Sequence, residues 1–457
     1  MATDDLVLAQ ARMRRRRGAE AMPLPGARRP AGRGAGLGKA SASIRYSLRS
    51  WSMIVALGLL LSLSAIARRL ELPIQPPLGR LCAGCLRAAG GLYLKLGQFL
   101  ANRTDLFHPQ FLGPFAALQD RVSAMDLAEA LSALPPAVGQ SLQGGYDCRH
   151  ARLIGSGSVA QVFAGRCRTS QRAVAIKVVR QPSRRLMLRD AAALRAVARR
   201  LSRLAPFRRW PLIAAVRICV RPICLQFNMH REAAIQRRFR ARCTIAGEIA
   251  TPEPIAVLHP HLLVMERVDG LRKLVDRPPG WAEALDRALD LLFTLLFAEH
   301  LLHCDLHPGN LFVGAEGDLV VIDHGLSCAI RPSDGHALAR FFMALISFDP
   351  KAAAQICIET GSAAAGGADV AGLEADVEAL FGDASRASAG AFNLQSFAAS
   401  LIRIQARRGL ISTPAFTLPV MALSAFEGQL KQIDPDADFQ RAALGAVVRA
   451  LSLAEAA

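Results

Sequence analysis

Two short motifs in the second half of the chain place the strongest constraint on what it can fold into. The first is His303-Cys-Asp-Leu-His-Pro-Gly-Asn310, and the second, Val321-Ile-Asp-His-Gly325, follows it after one predicted hairpin. Phosphoryl transfer passes through a loose, anionic transition state. Carboxylate and amide oxygens must therefore hold Mg²⁺ on the phosphates while another carboxylate orients the acceptor. Together the motifs predict a nucleotide site with magnesium.

Each polar residue of these motifs has an expected role. Asp305 is the predicted orienting carboxylate or base, and Asn310 and Asp323 are the predicted metal ligands. The same residues could instead be a polar turn that caps neighbouring helices. Zinc binding by His303 and His307 is a disfavoured alternative, because the following Pro-Gly breaks any shared helix and no Glu lies between them as in a zinc peptidase.

An upstream segment supplies the matching half of a nucleotide site. A glycine-rich turn between two predicted strands lets backbone N–H groups approach phosphates. Lys177, on the next predicted strand, offers a cation to the α- and β-phosphates, and Glu232 offers a carboxylate to hold it. We expect Lys177 and Glu232 to pair. The predicted loop residues are Gly155, Ser156, Gly157 and Ser158.

The hydrophobic pattern between these motifs changes period in a definite order. Helical spacing over 78–134 is interrupted at Pro109 and Pro114. Short β-rich runs follow, then a long helical segment over ~183–245, then two closing strands, which is the order of a kinase small lobe. Beyond it we expect a helix over 281–302, a loop over 303–310 and a mainly helical remainder. The predicted strands are 151–154, 159–164, 173–179, 255–258, 262–266, 311–313 and 319–322.

Composition limits the remaining parts of the chain. The 457 residues are 52% hydrophobic and 20% charged, which predicts a sizeable core. Residues 1–50 contain eleven Arg and Lys against three acidic residues in a Gly- and Pro-rich context, so we expect a disordered basic tail. The ten cysteines lack paired zinc-site spacing, which favours a reduced, cytosol-facing protein.

Two stretches bear on membrane contact. Residues 53–67 form an uncharged apolar run of fifteen, shorter than the ~20 needed to span a bilayer, so a buried helix and a membrane role both stay open. Arginines recur at helical spacing over 189–221. Such a face is either solvated or attracts polyanions, and nucleic acid and anionic lipid are not distinguished by it.

The motifs together resemble those of the UbiB/AarF family of atypical kinase-like proteins, over roughly residues 80–440. The most specific likeness is Lys95-Leu-Gly-Gln98, followed by Leu118-Gln-Asp-Arg, which is similar to the family's KxGQ helical extension. The resemblance implies that Lys95 and Gln98 lie at the nucleotide cleft and that Glu266 lies at the hinge between lobes. Likeness to the family near the C-terminus is carried by Phe-Glu-Gly at 426–428 and Ile-Asp-Pro at 433–435.

The sequence departs from the family pattern at three places. Gln226 and Asn228 stand where the family has Glu-x-Asp, so two anionic acceptors become neutral amides. The predicted phosphate-binding loop at residues 155–158 is richer in glycine than the Ala-rich loop of the family. His324 follows the predicted metal ligand Asp323, where Phe is common in the family.

The resemblance implies an α+β, bilobal protein-kinase-like fold with a helical KxGQ-type N-terminal extension. We expect a basic tail (1–50), an apolar helix that is a candidate membrane segment (51–75), the extension (76–140), a small lobe (141–270) and a large lobe (271–457). The implied ligands are ATP and Mg²⁺. The implied partners are an isoprenoid lipid or lipid-biosynthesis proteins and an anionic membrane surface, with no specific nucleic acid.

The functional expectation is an ATPase or unorthodox, non-protein kinase that supports ubiquinone-type lipid metabolism. We expect it at the cytoplasmic side of a membrane, peripheral or held by a single apolar anchor, and otherwise in the cytoplasm. Helical pattern resumes at Pro332 with no long activation segment, which argues against phosphorylating proteins in trans. A non-catalytic nucleotide-binding scaffold and a small-molecule phosphotransferase are the alternatives. The motif Lys95-Leu-Gly-Gln98 counts against the second.

Overall fold

The computed structural model describes most of the chain from residue 52 onward, within one compact unit, Tyr46–Ala457. The predicted basic tail (1–50) and the predicted base Asp305 lie outside the described residues. The described residues are 52–60, 62–64, 66–67, 70, 72–100, 109–118, 123–204, 212–246, 249–304, 306, 309–363, 367–386, 393–435 and 437–455.

Short helices form the N-terminal extension, in the region where the sequence predicts them. Proline at the start of several of them removes an N–H that would have no helical partner. Buried apolar side chains from the first three helices and the 3-10 turn form a core of their own around Phe111 and Phe115. The helices are α1 (Gln75–Ala89), α2 (Gly91–Leu100), α3 (Pro109–Leu112), α4 (Leu127–Ser132) and α5 (Pro136–Gly145), with a 3-10 turn at Gly113–Ala117.

Helical residues preceding α1 pack one face against this core. Leu60 is buried in it, and the Ser64 hydroxyl donates to Gln75 Oε1 at 2.7 Å. The opposite face carries exposed aliphatic side chains at helical spacing: Val55, Leu59, Leu63 and Ile66. Among the residues that the structure describes, no helix is long and apolar enough to cross a membrane.

An antiparallel sheet follows the extension. Its strands run in the order β1-β3-β4-β7-β6, with β2 on β3. The β-branched run of β4 pairs with β3 on one side and β7 on the other, so β4 is central. The strands are β1 (Tyr146–Asp147), β2 (Leu153–Ser156), β3 (Ala160–Cys167), β4 (Ala173–Val179), β6 (Pro254–His259) and β7 (Leu262–Glu266).

Helices cover both faces of the sheet. Side chains alternate along β4, so Val174, Ile176 and Val178 face α4 and α5, whereas Ala175 and Val179 face the opposite helical layer. The predicted helical stretch over ~183–245 contributes to that layer as α6 (Gln181–Leu201), α7 (Leu212–Leu225) and α8 (Met229–Ala246).

A second sheet and a helical layer complete the fold. The sheet runs β5-β11-β10-β8, and β9 pairs separately with β12. The helix predicted over 281–302 is too long: the observed helix runs from Trp281 to Phe297, and Leu301–His303 form a strand. His300 has φ +51°, a left-handed conformation that ends the helical path. The elements are β5 (Ile249–Ala250), β8 (Arg272–Lys273), α9 (Trp281–Phe297), β9 (Leu301–His303), β10 (Leu311–Val313), β11 (Leu319–Val321) and β12 (Ser327–Ala329).

The C-terminal part is mainly helical, as predicted from Pro332 onward. Its Phe-Glu-Gly motif has a structural place, because the buried Glu427 carboxylate accepts the Leu394 N–H at 2.8 Å and lies 3.3 Å from Lys431 Nζ. Glu427 thereby joins the helix over Pro414–Ile433 to the start of the helix over Leu394–Arg407. The elements are α10 (Pro332–Ile346), α11 (Pro350–Thr360), β13 (Gly361–Ala363), α12 (Val370–Arg386), α13 (Leu394–Arg407), β14 (Leu410–Ser412), α14 (Pro414–Ile433) and α15 (Phe439–Glu455).

Candidate nucleotide site

Lys177 is the centre of the candidate site. Strand alternation places it on the same face of β4 as Ala175 and Val179, toward α8. Its Nζ lies 2.5 Å from Glu232 Oε1, in the first turn of α8, and 3.1 Å from Asp323 Oδ1. The predicted pairing of Lys177 with Glu232 is confirmed, and Lys177 also reaches the predicted metal ligand.

Both carboxylates act on the charge state of this cluster. Burial alone would lower the pKa of the Lys177 ammonium, but Asp323 and Glu232 raise it above its ordinary value. Burial alone would raise the pKa of Asp323, yet Lys177 and the Gly325 amide hold it well below its ordinary range. Lys177 and Asp323 are therefore both charged at neutral pH.

Asp323 and Asn310 lie at neighbouring ends of the β10–β11 hairpin. The Ile322 N–H donates to the Asn310 carbonyl at 3.3 Å, just beyond the last strand pair, so the two predicted metal ligands flank one hairpin. The Gly325 N–H donates to Asp323 Oδ1 at 2.9 Å. The Asp323 side chain is 45% exposed, so this carboxylate is accessible to a cation.

His303 links this hairpin to the strand that precedes Asp305. Its Nε2 donates to the Asp323 carbonyl oxygen at 2.6 Å. Because a carbonyl only accepts, Nε2 carries the proton. Asp305 and His307 lie outside the described residues. This contact gives His303 a positioning role, which the sequence motifs do not indicate.

Arg180 holds the glycine-rich loop in place through hydrogen bonds, although the sequence motifs did not point to this residue. The buried Arg180 guanidinium donates to the Gly157 carbonyl at 2.9 Å and to Ser156 Oγ at 2.8 Å. It also donates to the Ser123 carbonyl at 2.9 Å. One side chain thus ties the loop to the segment before α4.

The remaining loop residues form a closed hairpin turn. The Gly157 N–H donates to the Ala160 carbonyl at 2.9 Å. Ser158 is buried, and its Oγ has no hydrogen-bond partner among the described residues. A Cβ on Gly155 would lie 3.5 Å from the Val162 Cβ, which is ordinary contact.

The extension packs directly onto the small-lobe sheet and its helices. Leu92 of α2 is buried with Ala175 and Val179 of β4. Gln98 Nε2 donates to the Leu118 carbonyl at 3.0 Å, so its amide binds the extension's own backbone. A Cβ on Gly97 would lie 2.7 Å from Leu118 Cδ1, so a larger residue here would have to displace that packed side chain. Lys95 is half-buried on the same helix.

The residues that depart from the family pattern adjoin the site. A Cβ built on Gly325 would lie 3.2 Å from Asp323 Oδ1, 3.4 Å from Glu232 Oε2 and 3.8 Å from Gln226 Cγ, so these side chains surround one glycine. The buried Gln226 Oε1 has no hydrogen-bond partner among the described residues. Asn228 Oδ1 accepts the Arg231 N–H at 3.2 Å and caps α8.

His324 is fully buried against Phe239, with ring centroids 4.4 Å apart. Its Nε2 lies 2.6 Å from Thr251 Oγ1, whose hydroxyl donates to the Val321 carbonyl at 2.9 Å. The single hydroxyl proton is thereby used, so His324 Nε2 is the donor. Burial lowers the pKa of His324 to about 3, which keeps the ring neutral.

The predicted hinge residue Glu266 ends β7 and is bound to arginines. Its Oε2 lies 3.3 Å from Arg240 and accepts the Glu253 N–H at 3.1 Å, and its Oε1 lies 3.5 Å from Arg172. Its carboxylate therefore has a structural role at this position.

The donor set fits a magnesium nucleotide. Glu232 Oε2 is a buried carboxylate oxygen with no hydrogen-bond partner among the described residues, and it lies near Asp323 beside Gly325. Hard carboxylate and amide oxygens are the ligands that Mg²⁺ prefers. Asp323 and Asn310 would hold a cation on the phosphates, while Glu232 keeps Lys177 in place to contact them.

These features define the chain as a bilobal, protein-kinase-like protein. A family model described as the ABC1 atypical kinase-like domain matches residues 117–357, and the chain belongs to this family.

Curated relatives and one solved structure were also compared. A probable protein kinase UbiB of Vibrio vulnificus (strain CMCP6) is 28% identical over 298 residues, which is 63% of this chain and 55% of the relative. A second probable protein kinase UbiB, from Serratia proteamaculans (strain 568), is 29% identical over 296 residues, which is 62% of this chain and 54% of the relative. The chain thus spans about half the length of these relatives. The complex structure of Rv3197-erythromycin from Mycobacterium tuberculosis aligns over 83% of this chain and 96% of that one. It has a TM-score of 0.46 and 16% identity, too low to support a conclusion.

Proposed function

We propose that this chain binds ATP with Mg²⁺ and is an ATP-dependent phosphotransferase or ATPase of the UbiB-like kind. The observation that carries the proposal is the position of Lys177 between Glu232 and Asp323, at 2.5 and 3.1 Å. A buried cation held by two carboxylates, one of them partly exposed, is the arrangement that phosphate recognition by a kinase-like site requires.

Each residue has a proposed part in the reaction. Lys177 contacts the α- and β-phosphates, and Glu232 keeps it in place. Asn310 and Asp323 would hold Mg²⁺, which when bound neutralises charge on the phosphates. Asp305 orients the acceptor or water. Backbone groups of the loop at 155–158 lie over the phosphates, and the chain near Glu266 borders the base.

The extension has a proposed positioning role. Gln98 supports the extension through the Leu118 carbonyl, at 3.0 Å. Lys95 lies one helical turn away on α2 and is proposed to act at the cleft, as the family resemblance implies. Access of a protein substrate would then be restricted, which favours a lipid, a small molecule or water as acceptor.

We further propose that the protein works at a membrane surface in ubiquinone-type lipid metabolism. The lipid part rests on the family and on the UbiB name of the curated relatives. The membrane part is supported by the exposed aliphatic face of Val55, Leu59, Leu63 and Ile66. Basic residues flank this face in the sequence, and such a combination suits an anionic interface.

Steady-state ATP hydrolysis with and without anionic liposomes tests the proposal. We expect Mg²⁺-dependent turnover that Lys177→Met abolishes and that anionic, but not neutral, liposomes raise. Asp286→Asn, an exposed carboxylate on α9, is the matched control. Absence of both turnover and Mg-ATP binding in the folded protein would contradict the proposal.

A non-catalytic nucleotide-binding scaffold is the second candidate. It is favoured by Gln226, a neutral amide whose Oε1 has no hydrogen-bond partner among the described residues and which lies beside the Asp323–Gly325 turn. The scaffold predicts saturable Mg-ATP binding without turnover, so the same assay, paired with a binding measurement, distinguishes it from an enzyme.

A further inference from the structure

Two cysteines lie side by side next to the candidate catalytic loop. Cys304 immediately follows β9 and precedes Asp305, and Cys328 lies in β12. Their sulfur atoms are 3.7 Å apart. The strands that carry them pair through Ser327 and His303, and the Cys304 N–H donates to the Leu326 carbonyl at 2.8 Å. The two thiols are thus diagonal neighbours on one face of a short ladder.

The surroundings make Cys328 the more reactive thiol. A hydrogen bond from Cys304 lowers the pKa of Cys328, and Arg231 and Arg221 add to the effect against burial. The Arg231 guanidinium donates to the Gly325 and Ser327 carbonyls, which fixes it beside the pair. Both thiols are half-buried, so a small oxidant can reach them.

We propose that Cys304 and Cys328 form a thiol-oxidation site that closes to a reversible disulfide. The adjacent sulfurs and the fixed arginine carry this assignment. The oxidant is hydrogen peroxide. Reduction by a cellular dithiol through thiol–disulfide exchange reopens the bond.

The chemistry balances in two steps. The Cys328 thiolate attacks one peroxide oxygen, an S–O bond forms, the O–O bond breaks, and the leaving hydroxide takes a proton to become water. Cys304 then loses its proton and attacks the Cys328 sulfur, an S–S bond forms, the S–O bond breaks, and a second water leaves. Two thiols are oxidised by two electrons, and one peroxide is reduced to two waters.

Closure would disturb the neighbouring site. The sulfurs must approach from 3.7 Å to about 2.05 Å. Cys304 directly precedes Asp305, and the adjacent His303 is bonded to the Asp323 carbonyl at 2.6 Å. A displacement on the order of 1 Å at a reacting centre costs about 10²-fold in rate. This consequence rests on the proposed function, whereas disulfide formation does not.

Peptide mapping tests the site on the full chain. The protein is reduced, freed of reductant, exposed to graded hydrogen peroxide, blocked with N-ethylmaleimide and mapped without reduction. We expect a cross-linked pair of peptides that contain Cys304 and Cys328. The Cys82-x-x-Cys85 pair on α1 is an internal comparison, because burial raises the pKa of Cys82 to about 12 and should slow its oxidation.

Variants separate the pair from other thiols. Cys304→Ser and Cys328→Ser should each abolish the cross-link, and Cys304→Ala serves if the first variant folds poorly. Cys148→Ser, which removes a half-buried thiol near the small-lobe sheet, should keep it. Failure to find the 304–328 cross-link at peroxide levels that link Cys82 to Cys85 overturns the proposal.

Activity gives the second measurement. Oxidised wild-type protein should hydrolyse ATP at least about tenfold more slowly, a smaller loss than full misplacement causes. Dithiothreitol should restore it, and Cys328→Ser should resist inactivation. A cross-link that leaves both turnover and amide exchange of β9 and β12 unchanged contradicts a regulatory effect. If the reduced protein shows no turnover, the proposed function fails, while mapping and exchange still decide the disulfide.

Discussion

Lys177 and Glu232 form a buried ion pair, with 2.5 Å between Nζ and Oε1, across 55 residues of sequence. Glu232 is in the first turn of α8, where the helix N-terminus also favours a negative charge. Removing one partner of a buried pair costs about 3–5 kcal/mol, because the other charge is left uncompensated.

We therefore expect Lys177→Met to lower the free energy of unfolding by roughly 3 kcal/mol and to abolish the thermal shift with Mg-ATP. The double variant Lys177→Met/Glu232→Gln should regain part of the stability but none of the nucleotide response. Chemical denaturation and thermal shift measure the two effects. A double variant that regains both would mean that Lys177 is structural only.

Asp323→Asn should weaken Mg²⁺-dependent ATP binding, because it removes a charge that faces the proposed cation. The Gly325 N–H can still donate to the amide oxygen, so the turn should persist. Isothermal calorimetry with ATP, with and without Mg²⁺, measures the change, and Asp286→Asn is the control. An equal Mg²⁺-dependent affinity in the variant and the wild type would count against the assigned role.

Gly97→Ala should destabilise the extension. The added Cβ would lie 2.7 Å from Leu118 Cδ1 and 2.9 Å from Leu86 Cδ1, both in the extension core. Overpacking of this kind costs about 1–3 kcal/mol. Gly84→Ala, inside α1 with nothing within 4 Å of its Cβ, should instead stabilise by about 0.5–1 kcal/mol. Urea denaturation of both variants tests the contrast, and equal effects would refute it.

Arg180→Gln should release the glycine-rich loop. The variant loses the bonds to Gly157, Ser156 and Ser123, and hydrogen bonds from a charged donor contribute about 1.5–3 kcal/mol. Faster amide exchange in residues 123–126 and 156–160 and weaker ATP binding are expected. Arg168→Gln, which loses only a surface bond to the Gln143 carbonyl, is the matched control. Unchanged exchange in both segments would show that Arg180 does not hold them.

Gln226→Glu together with Asn228→Asp should slow amide exchange in α2. These changes restore the family's carboxylates as hydrogen-bond acceptors for Lys95 of α2. A hydrogen bond to a charged acceptor contributes about 1.5–3 kcal/mol, against about 0.5–1.5 kcal/mol for a bond to a neutral acceptor. Asp is as good a helix cap as Asn, so α8 should persist. Asn228→Asp alone is the control for the cap. Equal or faster exchange in the double variant would contradict this account of the departure.

Much of the fold could be read from local pattern. The strand predicted over 173–179 matches β4, because its β-branched run suits a central strand. Strands β5, β8 and β9 were missed, since two or three residues carry no period and form only through pairing with distant partners. In 301–303 the apolar residues simply continue the spacing of α9.

The part of the candidate site that could be predicted is the part whose residue types and order along the chain indicate a nucleotide site. Lys177, Glu232 and Asp323 come together as expected from their types and order. The role of Arg180 could not be predicted, because it depends on which backbone carbonyls lie beyond the end of β4. The family resemblance implied a place at the cleft for Lys95 and Gln98, but not that Gln98 would bind the Leu118 carbonyl.

The guanidinium of Arg180 donates hydrogen bonds to two separate backbone segments. One is the glycine-rich loop, through the Gly157 carbonyl, and the other is the segment at Ser123. Because both hydrogen bonds come from one side chain, a ligand that changes one of them also changes the free energy of the other. If the loop binds ATP as proposed, thermodynamic reciprocity requires that a ligand of the extension alters ATP affinity by the same factor by which ATP alters the affinity for that ligand. A lipid or protein that docks on the extension could thus set nucleotide occupancy without touching the nucleotide.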